Sequence, residues 1–122
     1  MTHARLSFGV EGENLACAEL ERRGYAILAR RYKTSHGELD IVARDGDYLV
    51  FVEVKARDGS SFGEGEEAVT AQKQQRIVWM ATDYLARRGG PEVACRFDVV
   101  GINAASTPPA ITVIPDAFRP DW

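Results

Sequence analysis

The sequence predicts a single α/β domain in which a mixed central β-sheet is flanked by helices, with the elements in the order α-β-β-β-α-β-β. Two segments carry apolar residues at the spacing of a buried helix face, and shorter segments rich in β-branched and aromatic residues are typical of strands. An Asp-Gly pair between two of these strands is a strong hairpin signal. The 122 residues suit one compact domain, and we expect residues 1–6 and 116–122 to be loose tails.

The first helix is predicted over residues 7–23. Its apolar face is formed by Leu15, Ala16, Cys17 and Leu20. Gly24 follows a basic last turn, which is typical of a helix end. The next segment, "YAILAR" at 25–30, predicts a short strand.

The segments "GELDIVAR" (37–44) and "YLVFVEVKA" (48–56) predict a β-hairpin joined at "DGD". With Asp45-Gly46 as a two-residue turn, Asp40 lies opposite Phe51 and Arg44 opposite Asp47. A turn with an odd number of residues would move Asp40 to the other face of the sheet, because side chains alternate along a strand.

The second helix is predicted over about residues 70–88, after a polar, Gly-rich loop at 57–67. Thr70 is the expected N-cap, and the run 89–91, Gly-Gly-Pro, ends the helix. The buried stripe consists of Ile77, Val78, Ala81, Tyr84 and Leu85.

Two further strands are predicted at 95–102 and 110–115, separated by a turn-rich segment. Because one helix comes early and one late, we expect the sheet to be covered on both faces.

The composition is that of an ordinary soluble protein, with 45% apolar and 27% charged residues. The sequence contains no apolar run of membrane-spanning length and no secretory signal, so we expect a cytoplasmic protein with no membrane partner. Cys17 and Cys95 are far apart and without metal-ligand spacing, which favours reduced thiols. The net charge of −3 gives no general support to nucleic-acid binding, although paired arginines allow a local basic patch.

The charged residues in the hairpin require an explanation, because they extend rows of apolar side chains. By alternation, one face of the second hairpin strand carries Leu49, Phe51, Glu53 and Lys55. In the predicted register Asp40 shares this face and is a diagonal neighbour of Glu53, roughly 7–8 Å away at the backbone. The same register places Glu38 opposite Glu53, as an extra ligand or a supporting group.

Two neighbouring buried carboxylates repel each other, and a divalent cation removes that conflict. Oxygen ligands favour Mg²⁺ or Mn²⁺ over zinc. Lys55 adds a donor that can orient a water or offset the charge of a phosphate. These groups indicate metal-assisted hydrolysis of a phosphodiester. Glu13 lies on the apolar side of the first helix and either approaches this cluster or favours the helix N-terminus through the macrodipole.

The combination of Asp40 with Glu53-Val54-Lys55 resembles the signature of the PD-(D/E)xK nucleases, and the glutamate of the first helix resembles that of archaeal Holliday-junction resolvases in this superfamily. Nearly the whole chain is similar to the YraN-like family of bacterial proteins. The matching segments are "GxxGE" from Gly9 to Glu13, "RGYAIL" at 23–28, "GELDIVARDGDYLVFVEVKAR" at 37–57, "AVTAQKQQRI" at 68–77, "RFDVVGI" at 96–102 and "IPDAF" at 114–118.

The resemblance implies a restriction-endonuclease-like core in which Asp40 and Glu53 are metal ligands and Lys55 is the catalytic lysine, with Glu13 assisting at the metal. Leu39 replaces the proline of the ideal superfamily motif. The resemblance further implies that two polar residues early in the second helix, Gln72 and Lys73, face the site or the DNA.

Each signal also has a structural interpretation. Glu53 and Lys55 alone would be an ion pair at a strand end, and Asp40 alone a strand-end acid. For Asp98, pairing with Arg96 or another arginine is favoured over metal ligation. His36 either contacts phosphate or is a solvated loop residue.

The predicted function is a Mg²⁺- or Mn²⁺-dependent endonuclease acting on DNA, with structured or branched DNA implied by the resolvase resemblance. Symmetric cutting of a junction would need two active sites, and hence a homodimer. The alternative is a non-catalytic, nucleic-acid-binding or partner-recruiting module that keeps the nuclease fold. A structural or regulatory protein without a nucleic-acid role is a further alternative.

Overall fold

The structure is a computed structural model that describes residues 2–57, 69–89 and 92–120, with the side chains of the first helix described from residue 9 onward. Most of the predicted Gly-rich loop 57–67 lies outside the described residues, as do the predicted helix stop at 90–91 and the last two residues.

The predicted order of elements is confirmed. The elements are α1 (Thr2–Arg22), β1 (Ala26–Thr34), β2 (Gly37–Asp45), β3 (Tyr48–Arg57), α2 (Ala71–Arg88), β4 (Ala94–Asn103) and β5 (Ala110–Phe118). Within the described residues, no helix combines the length and apolar character needed to cross a membrane.

The five strands form one sheet in the order β1-β2-β3-β4-β5. Neighbouring strands are antiparallel except β3 and β4, which are parallel. A parallel pair requires a crossover connection, and α2 lies in that connection. The expected mixed sheet is therefore confirmed, and its architecture agrees with a restriction-endonuclease-like core.

Each helix covers one face of the sheet, as the sequence predicts. The layer under α1, here called the α1 layer, includes Ala16, Cys17, Leu20, Ile41, Val50, Val52, Val100 and Ile102. The layer under α2, here called the α2 layer, includes Leu39, Val42, Leu49, Phe51, Ile77, Met80, Phe97 and Val99. Because β2, β3 and β4 contribute to both layers, they are the central strands of the core.

The helix ends follow their local sequence. Thr70 caps α2 by accepting a hydrogen bond from the backbone N–H of Lys73 at 3.1 Å, which confirms the predicted N-cap. Gly24, with φ of 97°, follows α1, and the N–H of Tyr25 donates to the Leu20 carbonyl at 3.0 Å. The glycine accommodates the left-handed backbone that this helix end requires.

Asp98 is fully buried and organises a charged network on the α1 side of the sheet. Its carboxylate accepts hydrogen bonds from the Tyr25 hydroxyl at 2.7 Å, from the guanidinium of Arg96 at 2.9 Å and from the backbone N–H of Asp116 at 3.0 Å. The predicted pairing of Asp98 with Arg96 is confirmed. Burial, together with the hydrogen bond to Asp98, raises the pKa of Tyr25 to about 12.

The segments expected to be loose contain regular structure. α1 begins at Thr2, and β5 continues to Phe118 rather than ending at residue 115. In β5 the reason is tertiary, because the Asp116 N–H is bound by Asp98 and the Phe118 ring stacks on Phe97 with centroids 5.2 Å apart.

The predicted register of the β2–β3 hairpin is wrong by two residues. The turn is formed by Gly46 and Asp47, so that Asp45 lies opposite Tyr48 and Val42 lies opposite Phe51. The segment "DGD" contains both Asp-Gly and Gly-Asp, and each supports a two-residue turn. Gly46 takes a φ of 60° at the first turn position, which glycine adopts without strain. Since the shift is even, the paired residues 41–45 keep the faces that the sequence predicts.

We predict that Asp98→Ala lowers the free energy of unfolding by about 3–5 kcal/mol, because it leaves the largely buried guanidinium of Arg96 without this partner. Tyr25→Phe, which removes one hydrogen bond to the same carboxylate, should cost about 1.5–3 kcal/mol. Urea unfolding at pH 7 measures both. A loss below 1 kcal/mol for Asp98→Ala would contradict the network's structural role.

Candidate functional site

The paired part of β2 and β3 stops next to the predicted site. The register runs from Asp45 opposite Tyr48 to Ile41 opposite Val52. Beyond this pair, the next contact between the two strands is made by a side chain. The Oδ2 of Asp40 accepts a hydrogen bond from the Val54 N–H at 2.8 Å. A carboxylate is thereby held between the two strands where they separate.

The regular alternation of side chains breaks at the same level. Leu39 packs in the α2 layer and Ile41 in the α1 layer, although residues two apart on a strand normally share a face. On the neighbouring strand β1, Arg31 lies between the pairs that contain Leu39 and Ile41 and has a left-handed φ of 54°. A left-handed conformation of a residue other than glycine costs of the order of 1–3 kcal/mol and is typically kept by its surroundings.

Asp40 and Glu53 are brought together at this point. Continuing the observed register by one residue places them level with each other, and Glu53 is 8% exposed. Burial raises the pKa of Asp40 to about 7, and the negative charge of Glu53 adds to this rise. The hydrogen bond from Val54 acts in the opposite direction. Asp40 therefore lies in a partly desolvated site beside the carboxylate of Glu53.

Two lysines accompany the acids. The ammonium nitrogen of Lys73, in the first turn of α2, lies 2.6 Å from Glu53 Oε2. The pKa of Lys55 is lowered, first by burial and then by the positive charge of Lys73. Glu53 and Asp40 partly offset this effect, which places Lys55 within electrostatic range of both acids. The site thus combines side chains from β2, β3 and α2.

Glu13 lies on the other side of the separating strands and has arginine partners. It is 7% exposed, with Oε1 at 2.8 Å from Arg30 Nη2 and 3.2 Å from Arg31 Nε. Its negative charge also contributes to the raised pKa of Asp40. Glu13 therefore influences the acid pair electrostatically while being held by β1.

The remaining predicted residues lie around this centre. Glu38 is exposed, and its cross-strand partner is Lys33 on β1, so the predicted position opposite Glu53 is wrong because of the two-residue register shift. Gln72 is exposed on the first turn of α2. His36 lies in the β1–β2 turn with its ring 5.1 Å from that of Trp79.

Some contacts were not predictable from the sequence. Arg30-Arg31 was visible as a basic pair, but nothing in the sequence indicates that both residues contact Glu13. The partner of Trp79 was also missed, because His36 is distant in sequence and approaches only when the hairpin packs on α2.

The donor set fits a hard divalent cation held by two protein carboxylates. Among the described residues, no group of three or more His, Cys, Asp or Glu side chains is arranged to bind a metal. Mg²⁺ commonly uses one or two carboxylates and keeps several waters, so Asp40 and Glu53 suffice as its protein ligands. A cation there would also relieve the repulsion that raises the Asp40 pKa.

The mixed five-stranded sheet, the helix on each face and the carboxylate pair with adjacent lysines define a restriction-endonuclease-like architecture. A model of the uncharacterised protein family UPF0102 matches residues 12–102, and the chain belongs to this family. The resemblance to the YraN-like family is thereby confirmed.

Relatives align with the chain over nearly its whole length. A UPF0102 protein of Anaeromyxobacter dehalogenans is 45% identical over 117 residues, covering 96% of this chain and 87% of the relative. A UPF0102 protein of Geobacter metallireducens is 45% identical over 93% of each chain. A UPF0102 protein of Syntrophotalea carbinolica is 45% identical over 99% of this chain and 98% of its own length.

We predict that Asp40→Asn changes the pH dependence of stability. The Asp40 pKa rises from 3.8 to about 7 on folding, so the folded state binds this proton more tightly than the unfolded state. Wild-type stability therefore falls as pH rises through this range, and the loss is nearly complete by about pH 8. The asparagine side chain of the variant does not titrate. The stability of Asp40→Asn relative to wild type should therefore rise by roughly 2 kcal/mol or more from pH 5 to pH 8, at 1.36 kcal/mol per pH unit.

Urea unfolding at several pH values measures this difference. Asp47→Asn, at an exposed acid in the hairpin turn, is the matched control and should show little dependence on pH. A difference between Asp40→Asn and wild type that stays constant from pH 5 to pH 8 would contradict the raised pKa.

Proposed function

We propose that the protein is a Mg²⁺- or Mn²⁺-dependent endonuclease that hydrolyses DNA phosphodiester bonds in the cytoplasm. The observation that carries this proposal is the Asp40–Glu53 pair beside Lys55, at the point where β2 and β3 separate. Two acids that cannot both ionise without cost, next to a lysine with a lowered pKa, are typical of a functional site rather than of a structural ion pair.

In the proposed site Asp40 and Glu53 hold the cation. When bound, such a cation polarises the phosphoryl oxygen and makes an attacking water more acidic. The Val54 N–H fixes one Asp40 oxygen, and Lys73 fixes one Glu53 oxygen, so both carboxylates are positioned before substrate arrives. Positioning of this kind is the protein's own contribution to the rate.

Lys55 is the proposed catalytic lysine. Its lowered pKa means that its ammonium loses a proton more readily than an exposed lysine would. The neutral amine can accept a proton from the attacking water, and the resulting ammonium can offset negative charge on the phosphate as the bond breaks.

Cations near the acid pair support phosphate binding despite the net charge of −3. Arg30 and Arg31 are 39% and 50% exposed at their side chains, so their contacts with Glu13 leave part of each guanidinium open to solvent. Arg76, one turn after Lys73 on α2, is also exposed. Contacts of these groups with the DNA backbone would be independent of sequence and weakened by salt.

Branched or otherwise structured DNA is the proposed substrate, on the resemblance to resolvases. Cleavage of a four-way junction on both sides would require a homodimer.

A second candidate function is DNA binding without cleavage. It is favoured by the existing partners of the acids, because Glu53 already contacts Lys73 and Glu13 already contacts two arginines. A site whose charges are satisfied in this way can persist as a structural element after catalysis is lost.

A cleavage assay with Mg²⁺ and Mn²⁺ tests the enzyme proposal on single-stranded, duplex, flap and four-way DNA. Wild type should cut at least one substrate, and Asp40→Asn and Lys55→Ala should each lower the rate by about 10²-fold or more. Asp47→Asn should retain the activity. Equal residual cutting by wild type and both site variants would identify a contaminant. Salt-dependent binding that survives Asp40→Asn, without any cleavage, would favour the second candidate.

Metal binding can be measured without activity. At pH 8, excess Mn²⁺ should stabilise wild type against unfolding by about 2.7 kcal/mol once its concentration reaches 100 times the dissociation constant. The effect should weaken at pH 6, because the proton on Asp40 competes with the metal. Asp40→Asn and Glu53→Gln should abolish it. Equal stabilisation of these variants and of wild type would place the metal elsewhere.

A further inference from the structure

Trp79 is exposed in an unusual position for a large aromatic residue. It lies on α2, and its residue surface is 51% exposed. Its ring packs at 40° against the ring of His36, with the centroids 5.1 Å apart. One side of the indole is therefore supported by the β1–β2 turn, while much of its surface remains open to solvent.

A cavity of about 400 Å³ opens beside this ring pair and is lined by His36, Trp79, Thr82 and Asp83. The Asp83 side chain is 28% exposed, and its Oδ2 lies 3.2 Å from Arg87 Nε in an ion pair. The cavity thus offers an aromatic face together with a partly exposed carboxylate. This combination suits a flat, apolar group that carries N–H donors.

Helix α2 connects this cavity to the acid pair. Gln72, Arg76, Trp79 and Asp83 follow each other at four- and three-residue steps, so they form one stripe along the helix. Lys73, which contacts Glu53, lies beside the start of this stripe. Trp79 follows Lys73 by six positions along the helix, a rise of about 9 Å.

Strand β2 also connects the cavity to the acid pair. His36 precedes Asp40 by four residues of β2, a span of roughly 13 Å along a strand. A strand of stacked nucleotides advances 3.4 Å per nucleotide, so the cavity lies about three or four nucleotides from the acid pair. The exposed cation Arg76 lies between Lys73 and Trp79 in sequence and can contact the backbone phosphates between them.

We propose that the Trp79–His36 pair is a stacking platform for an unpaired base of the DNA strand that enters the acid site. This proposal rests on the proposed function and adds a substrate class to it, namely DNA that carries a single-stranded segment next to the cleaved bond. A base in a duplex cannot reach the ring face because it is stacked between its neighbours. Asp83 accepts a hydrogen bond from the exocyclic amino group of the base, and cytosine supplies such a group.

The test uses Trp122→Phe protein, so that Trp79 is the sole tryptophan, in an Asp40→Asn background that prevents cleavage. Oligo(dC) and a duplex with a dC flap should quench Trp79 fluorescence, whereas a blunt duplex should not. Trp79→Ala should lower the ratio of single-strand to duplex affinity about tenfold, the scale of one base stacked on an aromatic ring. Trp79→Phe should restore most of that ratio. Tyr48→Ala, at another aromatic residue that is 44% exposed, is the matched control and should leave the ratio unchanged.

The possible results distinguish failure of the stacking platform from failure of the proposed endonuclease function. An unchanged ratio in Trp79→Ala, or equal quenching by blunt duplex, would overturn the platform even if wild type cleaves DNA. An absence of DNA binding and cleavage in wild type would overturn the proposed function and the platform together. Oligo(dT), whose base has no exocyclic amino group, should bind several-fold more weakly than oligo(dC), and equal binding would remove Asp83 from the assignment.

Discussion

The hydrogen bond from the Val54 N–H to Asp40 Oδ2 controls the arrangement of the site. At this level β2 leaves β3, and a side-chain oxygen takes the place of a backbone carbonyl. This hydrogen bond satisfies the Val54 N–H near the sheet interior. It also fixes the Asp40 carboxylate close to Glu53. Backbone geometry thus holds Asp40 in a buried position beside Glu53, and burial, followed by the charge of Glu53, raises the pKa of Asp40. The lysines and arginines around the acids then compensate for the charge that this proximity concentrates.

Much of the fold follows from local sequence, because its signals are short-range. Thr70 caps α2 through a side chain three residues from its partner, and Gly24 allows the end of α1. The hairpin shows the limit of such reasoning. The segment "DGD" specifies an even turn, but which two residues form it depends on how both strands pack, and this decides whether Asp40 lies level with Glu53.

The candidate site was predictable in its acids and not in their partners. Alternation along β3 and the parity of the turn predict Asp40, Glu53 and Lys55 on one side of the sheet, and in the structure Asp40 lies beside Glu53. The partners come from β1 and α2, which no local pattern connects to the hairpin. Lys73 reaches Glu53 only because α2 packs over β3, and Arg31 reaches Glu13 from a left-handed backbone that the sequence does not indicate. Charge compensation in this protein is therefore a property of tertiary structure.

The network around Asp98 and the pair formed by Glu53 and Lys73 lie on opposite faces of the same sheet. Val52 is the cross-strand partner of Asp98 and directly precedes Glu53, so the two charged centres are adjacent along the backbone but separated by its thickness. The interactions around Asp98 are in consequence largely separate from the carboxylate pair. Substitutions around that pair can accumulate while the Asp98 network keeps the scaffold, and variation on a preserved scaffold is the evolutionary freedom that this separation permits.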